Sequence, residues 1–115
     1  MTTFRNDTAR LKFRTVNAII QRFREQDPDA PIQQALIFCW VALNEGRSQR
    51  DMRDALGIAS STSSRNLAAL SSVHRLGKPG LGLIEWIESG EDRRVKMLQL
   101  SQKGRTLVHR LLGDL

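Results

Sequence analysis

The chain has one cysteine, Cys39, in 115 residues. An internal disulfide is therefore excluded, as is a thiolate-based metal site built within one chain; Cys39 reads as a core thiol rather than a redox centre. Long hydrophobic runs are missing too. The longest, Ala35 to Leu43, falls far short of the roughly 20 residues that span a bilayer, and the N-terminus has no apolar signal core. A soluble cytoplasmic protein without a membrane partner is the expectation. Histidine is limited to His74 and His109, and neither stands at useful spacing from a serine, cysteine or carboxylate for nucleophilic catalysis. Gly77, Gly80 and Gly82 lie before a strand and lack the GxxxxGKS/T pattern of a phosphate-cradling loop. Internal repeats and low-complexity stretches are absent. The sequence does not read as an enzyme, and no cofactor or metal is expected.

With 40% apolar and 26% charged residues, the chain has the composition of a folded domain, and its length fits one domain over 1–115. Eighteen Lys and Arg against twelve Asp and Glu leave a net charge of +6 and a pI near 10.7, a balance that points to a polyanionic partner. The charge is segregated. Residues 1–24 carry six bases and one acid, residues 25–46 four acids and no base, and residues 47–115 twelve bases and seven acids.

From about Thr8 to Gln26, Phe13, Val16, Ile20 and Phe23 recur at helical spacing, the mark of an amphipathic helix. Its apolar face either covers its own core or packs on a partner subunit. Pro28 and Pro31 end this helix and start the next, from about Ile32 to Asn44, whose apolar residues lie nearly all round and predict a buried central helix. Gly46 is its expected stop. Ser48 with Asp51 three residues on predicts a capping box for a short helix bearing Met52, Ala55 and Leu56 and ending at Gly57. A fourth helix is predicted from about Ser60 to Ser72, with Leu67 and Leu70 inward. The glycines and proline between His74 and Gly82 break regular structure. Leu83–Glu88 and Arg94–Leu100 read as a hairpin with a charged tip, and Ser101 caps a last helix over about Gln102–Leu112. Helix, helix, short helix, helix, hairpin, helix is the order of a winged helix-turn-helix, mainly α with a small β-hairpin wing.

Gly82-Leu83-Ile84, then Glu91-Asp92-Arg93-Arg94, then Leu100-Ser101-Gln102-Lys103-Gly104 resembles the wing of the MarR-type winged-helix regulators, and the likeness extends over about residues 35–112. The resemblance implies a sequence-specific regulator of transcription, foremost a repressor, that binds double-stranded DNA as a homodimer. It implies that Asp92 orients Arg94 into the minor groove while Arg93 and Lys96 meet phosphates. It also implies that Ser60, Ser61, Thr62, Ser64, Arg65 and Asn66 open the recognition helix, with Arg65 the foremost candidate for the major groove. A charged, solvated hairpin tip and a serine-rich loop are the plain alternatives at these two places.

This sequence departs from the family pattern at Ala59, where a hydroxyl cap is common, and at Ser63, where an aliphatic is. Its loop from His74 to Gly80 is longer, and its Arg75 and Lys78 either touch phosphates, the favoured reading, or belong to a tolerated insertion. It stops at Leu115, where members of the family usually continue with more helix, leaving the dimer interface and a small-molecule effector pocket open. The face Phe13, Val16, Ile20, Phe23 and the face Leu107, Val108, Leu111 are expected to pair across a twofold axis. Two other readings remain: a winged-helix module that binds a protein, and a DNA binder of replication or plasmid maintenance.

Overall fold

The computed structural model describes residues 3–72, 79–88 and 95–113. Helix α1 spans Asp7–Gln26, α2 Ile32–Leu43, α3 Gln49–Leu56, α4 Ser60–Leu70 and α5 Gln102–Leu112, and strands β1 (Ile84–Glu88) and β2 (Lys96–Leu100) precede α5. Each start has a local cause. The Ala9 N–H donates to Asn6 Oδ1 at 2.9 Å, capping α1. Ser48 and Asp51 form the reciprocal capping box of α3, and Gly57 ends that helix at φ +65°, a left-handed conformation that suits glycine. Ser101 caps α5 by accepting from the Gly104 N–H at 3.0 Å.

The hairpin is antiparallel, with Ile84 opposite Leu100 and Glu88 opposite Lys96. Residues 46–48 lie along the other edge of β2, through Gly46 N–H to Leu98 O (2.8 Å) and Leu98 N–H to Arg47 O (2.9 Å). This pairing ties the wing to the start of α3. Gly82 adopts φ +69°, and a Cβ on Gly104 would stand 2.2 Å from the Leu83 carbonyl oxygen. The glycines that flank the hairpin in the sequence motif thus serve a left-handed turn and a helix pressed against a backbone.

The core gathers Ile37, Phe38 and Val41 of α2, Met52, Leu67, Leu70, Leu83, Ile84, Leu98, Leu100 and Leu107. Phe23 brings α1 to it, its ring centroid 5.7 Å from that of Phe38 in a tilted pair.

Two expectations are corrected here. Helix α2 is not buried all round: its inward side holds Gln34, Ile37, Phe38 and Val41, whereas Ile32 is 74% and Leu43 83% exposed, with Leu36 exposed beside them. Helices α3 and α4 and strand β2 pack on the inward side of α2. Conversely, Leu107 and Leu111 of α5, with Phe23 of α1, are buried in the protomer's own core, because α5 packs on α1 and β2. Phe13, Val16 and Ile20 remain exposed. Among the described residues no helix is long and apolar enough to cross a membrane.

Candidate nucleic-acid interface

Helix α4 presents Ser60, Ser61, Ser64 and Arg65 to solvent and turns Ser63, Leu67 and Leu70 inward. The 3.6-residue period separates these sets. Its N-cap, Ala59, makes no side-chain hydrogen bond, so the first amides of the helix, at Ser60, Ser61 and Thr62, have no intrahelical partner and stay available to an anion. Ser63 is wholly buried, and its Oγ has no hydrogen-bond partner among the described residues.

A hollow flanks α4 on either side. The one toward the wing has a volume of about 520 Å³ and is lined by Ser48, Gln49, Arg50 and Arg53 of the α3 region, Ser64 of α4, and Trp86, Val95 and Lys96 of the hairpin. Three cations converge there. Lys96 Nζ lies 5.5 Å from the centroid of the Trp86 ring, a cation–π contact that holds the ammonium at the root of the wing. Among the described residues no ion pair engages the guanidinium groups of Arg50, Arg53 or Arg65. Arg47 differs: its Nε lies 3.2 Å from Asp51 Oδ2, and this bond, followed by those from Ser48, holds the Asp51 carboxyl below its ordinary range.

The hollow on the other side, about 490 Å³, is lined by Thr62, Arg65, Asn66 and Ala69 of α4, by Asp27 and the start of α2, and by Pro79, Gly80 and Leu81. Asn66 belongs to this side. It is 7% exposed, and its Nδ2 donates to Thr62 O at 2.9 Å, which leaves it off the open edge of the helix; Thr62 is half-buried. Gln34 closes the floor at 3% exposure.

Of the residues expected from the sequence, Ser64 and Lys96 meet in the wing-side hollow, Thr62, Arg65 and Asn66 line the other, and Ser60 and Ser61 are exposed at the start of α4. Arg75, Lys78, Asp92, Arg93 and Arg94 lie outside the described residues. Arg50 and Arg53 were missed by the sequence reading. The only signal for them was their i, i+3 spacing, which sets both on one face of α3. Cys39 is half-buried, and burial pushes its thiol pKa up, against reactivity. No group of metal-ligating side chains is present among the described residues.

No family model and no curated protein matches this sequence. Solved structures do. MarR superposes with a TM-score of 0.63 at 16% identity, over 93% of this chain and 74% of MarR. MepR of S. aureus, in a complex with DNA, superposes with a TM-score of 0.66 at 20% identity, over 89% of this chain and 76% of that one. The fold is that of the MarR-type winged-helix regulators. A further match is the transcriptional repressor CouR bound to a 23-mer DNA duplex, with a TM-score of 0.62 and 26% identity over 90% of this chain and 66% of CouR. Within the MarR-type fold, α3 and α4 are the helix-turn-helix and β1–β2 the wing. The neighbours are regulators, not enzymes.

Proposed function

We propose that this chain is a transcriptional regulator that binds double-stranded DNA as a homodimer, each protomer a single winged-helix domain over 1–115. Helix α4 enters the major groove, whose width of roughly 12 Å admits a helix. Ser60, Ser61 and the free amides beside them meet phosphates, and Arg65 reaches base edges. One phosphodiester backbone runs along the hollow of Arg50, Arg53 and Lys96. Arg94 of the wing tip, oriented by Asp92, enters the adjacent minor groove, and Arg93, Arg75 and Lys78 contribute phosphate contacts.

The observation that carries this reading is the convergence of three cations from α3 and the wing root in one hollow beside the exposed Ser64–Arg65 edge of α4. A fold seen on duplexes in MepR and CouR supports it. Arg65→Ala tests it. On the preferred duplex the variant loses about 1–3 kcal/mol, the worth of a bidentate base contact, and on random duplex much less. Equal losses on both would reduce Arg65 to a phosphate contact, and no loss on either would remove α4 from the groove.

A further inference from the structure

The outer edge of β2 is paired by main chain at one end and by a side chain at the other. Gly46 N–H donates to Leu98 O at 2.8 Å and Leu98 N–H to Arg47 O at 2.9 Å, and Ser48 bridges to Met97. Donors on one edge of a strand recur every second residue. The next rung therefore belongs to the Leu100 N–H, and the register that sets Leu98 against Arg47 sets Leu100 against Glu45. The rung is made there by the side chain: Glu45 Oε1 accepts from the Leu100 N–H at 2.8 Å. The same oxygen lies 3.5 Å from Arg105 Nη2 of α5. One carboxylate oxygen, two residues past the end of α2, thus joins that helix to β2 and α5.

The hairpin is also held on the β1 side. Leu81 N–H donates to Ala69 O at 2.8 Å and Leu83 N–H to Leu70 O at 2.7 Å, which hangs the approach to β1 on the last turn of α4. A two-stranded hairpin has little rigidity alone, so its direction depends on where its edges are held. On the β2 edge the bonds at Leu98 supply one point and the Glu45 rung a second. Released at Leu100, the strand can pivot about Leu98. Lys96 stands two residues beyond that pivot, about 7 Å along the strand, so a turn of about 10° moves it by about 1.2 Å. That is more than twice the roughly 0.5 Å spread of good N–H···O distances.

We infer that Glu45 is a positioning residue of the wing: through the Leu100 rung, and steadied by Arg105, it sets the hairpin at the angle that brings Lys96 beside Arg50 and Arg53 in the wing-side hollow. Glu45 does not line that hollow. As an acid it opposes DNA electrostatically, so a favourable contribution to binding must run through the hairpin. The inference rests on the proposed function for its DNA readout, whereas the hold on the hairpin is read without DNA.

Two variants of the full chain remove the same charge and differ in the rung. Glu45→Gln keeps an oxygen that accepts from the Leu100 N–H, and Glu45→Ala does not. In the free protein, followed by NMR, the Leu100 amide exchanges with solvent at least about tenfold faster in Glu45→Ala and within about threefold of the unaltered rate in Glu45→Gln. The Leu67 and Leu70 amides of α4 exchange alike in all three proteins. On duplex DNA, Glu45→Gln binds at least as tightly as the unaltered chain, since it has lost an acid. Glu45→Ala binds at least about threefold more weakly, and its salt slope flattens by up to about 0.9 per protomer, the share of Lys96; adding Lys96→Ala then flattens it little further. Circular dichroism checks folding. If Glu45→Ala is unfolded, Glu45→Asp replaces it, keeping the charge but withdrawing the oxygen by one carbon–carbon bond, about 1.5 Å; exchange at Leu100 quickens and binding weakens there too. Unchanged Leu100 exchange without the rung, or equal effects of Gln and Ala on duplex binding, would overturn the positioning role. An unaltered chain that binds no duplex would overturn the proposed function instead, and the exchange comparison would still decide whether Glu45 holds the hairpin.

Discussion

Removing the three cations of the wing-side hollow together, as Arg50→Ala, Arg53→Ala and Lys96→Ala, gives a measurable change in salt dependence. Each phosphate neutralised at a duplex contributes about 0.9 to the slope of log K against log salt. Three side chains converge on one hollow of about 520 Å³, a space that holds consecutive phosphates of one strand. The triple variant therefore flattens the slope by about 2.7 for each protomer bound. Between 50 and 200 mM salt, the unaltered protein loses about 40-fold more affinity per protomer than the variant does. The assay is a fluorescence-anisotropy titration of a labelled duplex at four salt concentrations, with circular dichroism to confirm the fold. A control variant takes the same charge from exposed positions elsewhere, Arg5, Arg10 and Arg110, and its slope changes much less. Equal flattening in both variants would mean that only the overall field of the protein acts, and an unchanged slope in the first would place the DNA backbone somewhere else.

Ser63→Ala removes a buried hydroxyl that has no partner among the described residues and improves helix propensity, so it stabilises the fold by about 1–2 kcal/mol. For a domain of this size that raises the melting temperature by several degrees; a lower temperature would show the hydroxyl to be bonded. At the wing, Arg94→Ala flattens the salt slope by about one unit. Asp92→Ala separates charge from orientation, because removing an acid strengthens binding if only net charge matters and weakens it if Asp92 positions Arg94. Weaker binding is the expected result, and tighter binding would refute the positioning role. The Asp51 carboxyl is held below its ordinary range by Arg47 and Ser48, so its contribution to stability is complete above the ordinary carboxylate pKa and is lost as pH falls through the lower folded value. Asp51→Asn should accordingly reduce the acid dependence of melting below about pH 4, and identical acid limbs would show that the carboxylate adds nothing.

Local chemistry was legible in the sequence where it is decided within a few residues. The Ser48–Asp51 box, the stop at Gly57, the Ser101 cap and the glycines at 82 and 104 all took the places their motifs imply. The exposed side of α2 was not legible, since an apolar residue that faces a partner and one that faces the core carry the same signal. The same ambiguity hid α5, whose Leu107 and Leu111 turned inward. Arg50 and Arg53 escaped notice because a cation on a short helix reads as solvated face until the fold sets Lys96 and Ser64 opposite it. Asn66 sits at the side of α4 by its helical position, but only the packing of α2 against α4 buries it.

The central claim, that α4 reads a specific duplex in a two-copy complex, is tested most directly by selecting bound duplexes from a random pool and measuring affinity for the winners against the unselected pool. The account predicts a palindromic consensus with half-sites about 10 base pairs apart, or a whole number of helical turns. It also predicts a preference of at least about a thousandfold over random duplex at the same salt. Recovery of sequences without a shared consensus, bound no tighter than the starting pool, would contradict it.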